Sequence, residues 1–316
     1  MIMNILEIRQ LTKKFGDYTA VDNLSLSVQE GEIFGFLGPN GAGKSTTIHM
    51  TASLLPATKG EIAIMGKSIA KHSRHAKSAI GFVPQDLAIY EDMTAYENVH
   101  FFAGLYGLRG AELKRSALEA LEFVGLADRK SSYPRNFSGG MKRRLNIACA
   151  IAHKPRLIIM DEPTVGIDPQ SRSYILNSVR KLNRQGSTII YTSHYMEEVE
   201  EICSRIAIID HGKIIAEGTQ AELKAIITNQ RNMDVAVRGS EVDDLLLERL
   251  RKVVGVQSAE ASDGTIRISS AVEINNFHPI MQQLVASGIE VRGVESREPT
   301  LETVFLTLTG RTLRDA

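Results

Sequence analysis

GPNGAGKST, residues 38–46, decides how this chain is read. Gly38, four spacers, Gly43, Lys44 and Ser45 form the phosphate-loop pattern, placed after the apolar run IFGFL at 33–37 and before a helix-like stretch. Glycines let successive backbone N–H groups turn toward phosphate oxygens, and the helix that follows adds the positive end of its dipole. Gly38, Asn40, Gly41 and Gly43 are therefore expected to shape the cradle, with Lys44 meeting the β- and γ-phosphates. Ser45 is a Mg²⁺ ligand in this pattern, and Thr46 adds a second hydroxyl.

Further along, LIIMDEP at 157–163 is an apolar strand that ends in two acids. A parallel strand delivers such residues at its C-terminal edge, beside the phosphate loop. Asp161 is placed to hold Mg²⁺ through water, and Glu162 to polarise an attacking water. Between the two motifs lies NFSGGMKRRLNIACAIAHKP, from Asn136. Its Ser138, Gly139 and Gly140 open a second anion cradle at a helix start, which a single nucleotide hardly needs. The economical solution is a nucleotide shared with a second copy of the chain. KRR at 142–144 reads as a solvated helix face.

The 316 residues carry 37 Lys+Arg against 37 Asp+Glu, enough chain for about two domains and too balanced for a general nucleic-acid surface. No nucleic-acid partner is expected. Hydrophobic residues at 43% and charged residues at 23% are those of a soluble globular protein. Cys149 and Cys203 sit in separate apolar stretches, so neither a disulfide nor a zinc site is expected. No run of eighteen apolar residues occurs, and the first residues lack the pattern of a cleaved leader, so the chain is expected to stay where it is made.

Residues 1–228 mix strands and helices in α/β order: LEIRQLTKKF, NLSLSVQ and EIAIMG read as an antiparallel group, and about 91–155 as a helical subdomain. In AELKRSALEALEFVGL, Leu113, Ala117, Leu118, Leu121 and Val124 are assigned to one apolar face. NQRN at 229–232 reads as a linker. Beyond it, 229–316 follows a β-α-β-β-α-β order, that of a small α+β ferredoxin-like domain, with a hairpin turn at Asp263-Gly264. TLETVFLTL near the end places Leu301, Val304, Phe305 and Leu308 on one stripe that reads as an intramolecular dock.

GPNGAGKST, Gln85 in FVPQD, SGGMKRR, LIIMDEPTVGIDP and YTSH stand in the order of the ATP-binding cassette of ABC transporters, which residues 4–225 resemble. The resemblance implies a P-loop ATPase with a mixed-sheet core, an antiparallel β subdomain and a helical subdomain, using ATP and Mg²⁺. It implies that Phe15 stacks on adenine, with nearby Tyr18 a rival for that face, that Gln85 touches Mg²⁺ and relays to a membrane partner, and that Asp168 contacts the opposite subunit. His194 would hold the γ-phosphate and help position the water, and Ser138, Gly139 and Gly140 would serve the partner's nucleotide. Met141 departs from the commonest signature, which has Gln there. SGGMKRRL, PTVGIDPQSR, TSHYMEEVE and EPTLETVFLTLTGR resemble one branch, the ATPase subunits of bacterial multidrug and antibiotic-resistance exporters of the second ABC export class or of sodium extruders. Such a subunit is a homodimeric motor at the cytoplasmic face of the inner membrane, peripheral through a separate permease. Six aromatics (Phe82, Tyr90, Tyr96, Phe101, Phe102 and Tyr106) crowd into 82–106, either as core of the helical subdomain or as the groove that receives the permease. The competing class is a soluble cassette ATPase acting on DNA or ribosomes, which would be expected to add coiled coils, zinc modules or a second cassette. A small-molecule kinase or GTPase on the same loop would leave SGGMKRR and His194 unexplained.

Overall fold

The structure, a computed structural model, describes residues 3–227, 230–238, 242–262, 264–271, 274–297 and 300–309. Two compact units divide at Gln220/Ala221. The first contains β1 (Asn4–Phe15), β2 (Tyr18–Gln29), β3 (Ile33–Leu37), α1 (Lys44–Thr51), β4 (Lys59–Ile64), β5 (Lys67–Ser68), α2 (Ser73–Ala79) and β6 (Ile80–Val83). It continues through α3 (Ala95–Leu105), α4 (Gly110–Phe123), α5 (Gly139–Ile151), β7 (Leu157–Asp161), α6 (Pro169–Arg184), β8 (Thr188–Ser193), α7 (Met196–Ile202), β9 (Arg205–Asp210) and β10 (Lys213–Gly218). α8 (Gln220–Ile227) starts at the division, whereas the sequence places the domain boundary after this helix, at 228/229.

The central sheet runs β10-β9-β3-β8-β7-β6, parallel except for the β9–β10 pair. Every residue of β3, β7 and β8 is buried, because a parallel sheet is covered on both faces and its strands become continuous apolar runs. A second, antiparallel sheet runs β2-β1-β4-β5. Its Ile5, Leu6, Ile8, Val21 and Ile64 share one core with Phe34 and Phe36 of β3 and Ile48 and Met50 of α1, which seats the antiparallel sheet beside the phosphate loop.

The helical segment is α3, α4 and α5. α3 starts at a capping box in which the Thr94 hydroxyl accepts from Glu97 N–H while the Glu97 carboxylate accepts from Thr94 N–H. On α4, Leu113, Ala117, Leu121 and Val124 are buried, but Leu118 is 43% exposed. The 100° advance per residue puts position 118 about 140° around from 113, and Ala120 fills the face instead. None of the six aromatics at 82–106 is fully buried: Tyr90 and Phe101 are exposed, and Phe82, on β6, packs against the core of the first unit. Tyr90, Phe101 and Phe102 contact one another through ring pairs 5.4–6.0 Å apart.

The second unit contains β11 (Gln230–Val237), α9 (Asp244–Arg251), β12 (Val256–Ser262), β13 (Thr265–Ala271), α10 (Phe277–Ala286), β14 (Val291–Arg297) and α11 (Leu301–Thr309). Its antiparallel sheet is ordered β12-β13-β11-β14, so β11 and β12 are parallel with β13 between them, which is the split βαβ arrangement. Ser262 pairs with Thr265 and Gly264 has φ +74°; Asp263 lies outside the described residues. NQRN is not a linker where it is described: Gln230, Arg231 and Asn232 pair with Ala271, Ser270 and Ser269. Ladder bonds engage the backbone, so polar side chains do not bar a strand there. Asn229 is outside the described residues. Leu301, Val304 and Phe305 are buried.

Candidate functional site

A cavity of about 330 Å³ is lined by Asn40, Gly41, Gly43, Lys44, Ser45 and Thr46, with Gln85 and Glu162 on its wall and Phe15 and Tyr18 beside them. The loop needs glycine at 43: φ is +102°, and a Cβ there would stand 2.5 Å from Ala20 O. α1 begins at the next residue, Lys44, and so aims its N-terminal end into the cavity. Lys44, 4% exposed, donates from Nζ to Gly38 O at 2.7 Å and Pro39 O at 3.1 Å, and lies 3.3 Å from Glu162 Oε1. Burial lowers its pKa below the ordinary lysine value, against the pull of Glu162 and Asp161.

The end of β7 places the two acids. Asp161 Oδ1 accepts from Thr192 Oγ1 at 2.7 Å and from Ser45 Oγ at 3.4 Å. Glu162 follows with φ +46°, a left-handed backbone that costs a non-glycine residue free energy. Its N–H donates to Thr192 Oγ1 at 2.8 Å, which helps hold the turn. That turn brings Oε2 to 3.1 Å from His194 Nδ1, whose N–H donates to it. The loop from β3, the end of β7 and the end of β8 thus gather Lys44, Ser45, Asp161, Glu162 and His194.

Ser138, Gly139, Gly140 and Asp168 do not line this cavity. Ser138 caps α5, its hydroxyl accepting from Met141 N–H at 3.3 Å, and Asp168 caps α6, its Oδ1 accepting from Ser171 N–H at 2.9 Å. That backbone bond holds the exposed Asp168 carboxyl below its usual pKa. A Cβ at Gly140 would fall 2.0 Å from Ser171 Oγ, so this glycine lets α5 approach α6, while Ser138 and Gly139 remain exposed. KRR is not a solvated face. Arg143 is buried with Nη1 and Nη2 on Pro84 O and Gln85 O, and Arg144 donates to Val124 O and lies over the Tyr174 ring.

The ABC transporter family profile matches residues 21–165. The linearmycin resistance ATP-binding protein LnrL of Bacillus subtilis (strain 168) is 45% identical over 313 residues, covering 98% of this chain and 100% of that protein. The chain belongs to the ABC transporter family. It is an ATP-binding subunit of that family and an ATPase. The Nod factor export ATP-binding protein I of Sinorhizobium fredii is 38% identical, over 98% of this chain and 87% of that one. A solved structure titled as a dimeric post-hydrolysis state of the ATP-binding cassette MJ0796 bound to ADP and Pi matches 68% of this chain and 98% of its own, with TM-score 0.62 and 28% identity.

This ABC subunit holds His194 in place with a residue that sequence reasoning missed. Glu198, 2% exposed on α7, accepts from Thr164 Oγ1 at 2.7 Å, Tyr191 OH at 2.8 Å and Ser193 Oγ at 3.1 Å. Arg172 Nε lies 3.3 Å from its other oxygen, and the Arg172 guanidinium covers the Tyr195 ring. Ser193 Oγ in turn accepts from Tyr195 N–H, so both neighbours of His194 are tied to one carboxylate. The signal in the sequence was an acid on the apolar face of MEEVEEI, one helical turn before Ile202. Glu198→Gln turns an acceptor-only group into one that must aim a donor at hydroxyls or at Arg172. Stability should fall by about 2 kcal/mol, and turnover per folded molecule by about tenfold through the loosened His194 turn. Thermal melts paired with ATPase assays check this; unchanged turnover in the folded fraction would remove Glu198 from the positioning of His194.

Proposed function

We propose that this chain is the motor subunit of an exporter: two copies close head to tail over two ATP molecules and drive a separate membrane permease. The observation that carries this reading is the separation of two anion-binding features. Lys44, Ser45 and Glu162 share one cavity, while the exposed Ser138-Gly139 helix start stands outside it. A second copy supplies the missing side of each site. The names of the relatives, linearmycin resistance and Nod factor export, support export as the direction.

In this reading Lys44 carries the charge of the β- and γ-phosphates, and Phe15 or its neighbour Tyr18 meets the base at the mouth of the cavity. Glu162 accepts a proton from the attacking water as the water oxygen bonds to the γ-phosphorus and the bond to the β-phosphate oxygen breaks. The Nδ1–H bond to Glu162 orients His194, so that its other ring nitrogen accepts from the attacking water in the neutral ring and donates to the γ-phosphate in the imidazolium. Among the described residues no cluster of three His, Cys, Asp or Glu side chains could hold a metal alone. The donors present are nonetheless those of a phosphate-assisted Mg²⁺ site: the Ser45 hydroxyl and Asp161, joined at 3.4 Å, with Gln85 on the same cavity. Mg²⁺ bound there would neutralise phosphate charge. Asp168 and the Ser138-Gly140 segment are assigned to the partner's nucleotide.

A groove of about 1130 Å³ between the helical segment and α2 and β6, with Phe82, Phe102, Leu105 and Tyr106 among its lining, is the proposed seat of the permease within 82–106. No helix among the described residues is long and apolar enough to cross a membrane, which fits a peripheral subunit at the cytoplasmic face of the inner membrane.

The shared sites are tested by mixing two variants. Ser138→Arg crowds the partner's γ-phosphate, and Lys44→Ala disables the chain's own loop. In a mixed dimer one site carries both defects and the other neither, so about one trapped ATP per mixed dimer is expected, against two in the parent protein. Mixtures that trap none would sink the composite site.

A further inference from the structure

We infer that Arg143 is a positioning residue for Gln85: its guanidinium holds the backbone of the 84–85 segment, so that Gln85 is carried by α5, the helix that begins at Ser138. The inference rests on the reading that Gln85 serves the bound nucleotide.

β6 ends at Val83, and the chain from Pro84 to Tyr90 then runs without helix or strand. Backbone carbonyls there have no ladder to accept from, so their partners must come from side chains, turn N–H groups or water. Arg143 supplies two of them, donating from Nη1 to Pro84 O at 2.8 Å and from Nη2 to Gln85 O at 2.6 Å. It does so from a site only 4% exposed. Among the described residues it forms no salt bridge within 4 Å, although Asp86 and Tyr191 favour its charge. A fixed planar fork meeting two consecutive carbonyls is geometry that arginine offers and lysine does not. The neighbouring Lys142 pairs with Glu91, the residue just past this segment, at 2.5 Å from its Oε1.

Adjacent residues of one helix thus hold the start of the segment and the residue just past its end. Gln85 lines the cavity with Lys44, Ser45 and Glu162, so its place there is set by α5 as well as by the strand before it. The start of α5 is the second anion cradle. The two ends of this coupling therefore face different nucleotides in the proposed dimer: Gln85 the chain's own, Ser138 the partner's.

A mutant cycle separates positioning from mere stability. ATP turnover per folded molecule, with saturating ATP and Mg²⁺, is measured for the full-length parent, Arg143→Met, Gln85→Ala and the double variant, alongside nucleotide affinity and thermal melts. Each single change should slow turnover by about ten- to a hundredfold, with affinity altered less than about threefold because the phosphate loop is untouched. The double variant should be no slower than Gln85→Ala, since Arg143 acts through Gln85. Arg143→Lys should restore only part of the loss. If Arg143→Met does not fold, Arg143→Lys takes its place in the cycle. Independent effects that multiply in the double variant, or losses confined to melting temperature, overturn the inference. If Gln85→Ala itself turns over normally, the reading of Gln85 fails as well; if Gln85→Ala is slow while Arg143→Met is normal, only the inference falls.

Discussion

Glu162→Gln should bind ATP normally and hydrolyse it about a thousandfold more slowly, within the range a general base contributes. The substitution keeps the shape of a side chain that spans two partners, Lys44 at 3.3 Å and His194 at 3.1 Å, and removes its ability to take a proton. Gln pays the same backbone cost as Glu at φ +46°, and the N–H bond to Thr192 is unaffected, so the turn after β7 should persist. With chemistry blocked and binding intact, the proposed ATP-bound dimer should accumulate. Size-exclusion chromatography with ATP should then show a species of twice the chain mass that disappears without nucleotide. Turnover within tenfold of the parent would remove Glu162 as the base. Slow turnover with a species of single chain mass at high protein and ATP would leave the base assignment standing and remove the head-to-tail dimer.

The parts of the site that were legible in the sequence are contiguous. Gly43, Lys44 and Ser45 follow a strand and open a helix, and Asp161-Glu162 end a strand, so local pattern plus the rule that parallel strands deliver residues at one edge was enough to bring them together. Thr192, Glu198 and Arg143 were not legible, because what each does depends on partners between 5 and 59 residues away that only the folded chain brings near. Charge alone misled at Arg143. Three successive basic residues on a helix are normally solvated, and here the middle two-pronged group replaces absent strand partners for Pro84 and Gln85. The six aromatics at 82–106 could not be assigned from composition, since a core and a groove draw on the same residue types. Burial divides them: Phe82 packs against the core of the first unit, Tyr90 and Phe101 are exposed, and Phe82, Phe102 and Tyr106 help to line a surface groove. Leu118 and the NQRN stretch failed for opposite reasons. The first was an apolar residue included in a face that helix geometry denies it, the second a polar run whose backbone pairs regardless.

Lys44→Ala should lower ATP hydrolysis by at least about a hundredfold and weaken ATP binding, because a charge-assisted donor in a water-poor site is worth several kcal/mol to developing phosphate charge. Loss of activity alone would not separate a lost phosphate contact from a damaged fold, and the geometry supplies the control. Lys44 donates to Gly38 O and Pro39 O and faces a nearly buried Glu162, so truncation leaves two carbonyls and one carboxylate without their cation. A buried carboxylate left with His194 as its one remaining partner is costly, and stability should drop by about 1–3 kcal/mol. Adding Glu162→Gln removes the orphaned charge. The double variant should therefore be more stable than Lys44→Ala, melting closer to the parent, while remaining inactive and weak in ATP binding. That opposite movement of stability and function is the expected signature of a cation held in place for phosphate at some expense to the fold. If Lys44→Ala is folded and turns over ATP near the parent rate, the phosphate-loop assignment is wrong. If the double variant is less stable than Lys44→Ala, the 3.3 Å pairing of Lys44 with Glu162 does not govern the stability of this site.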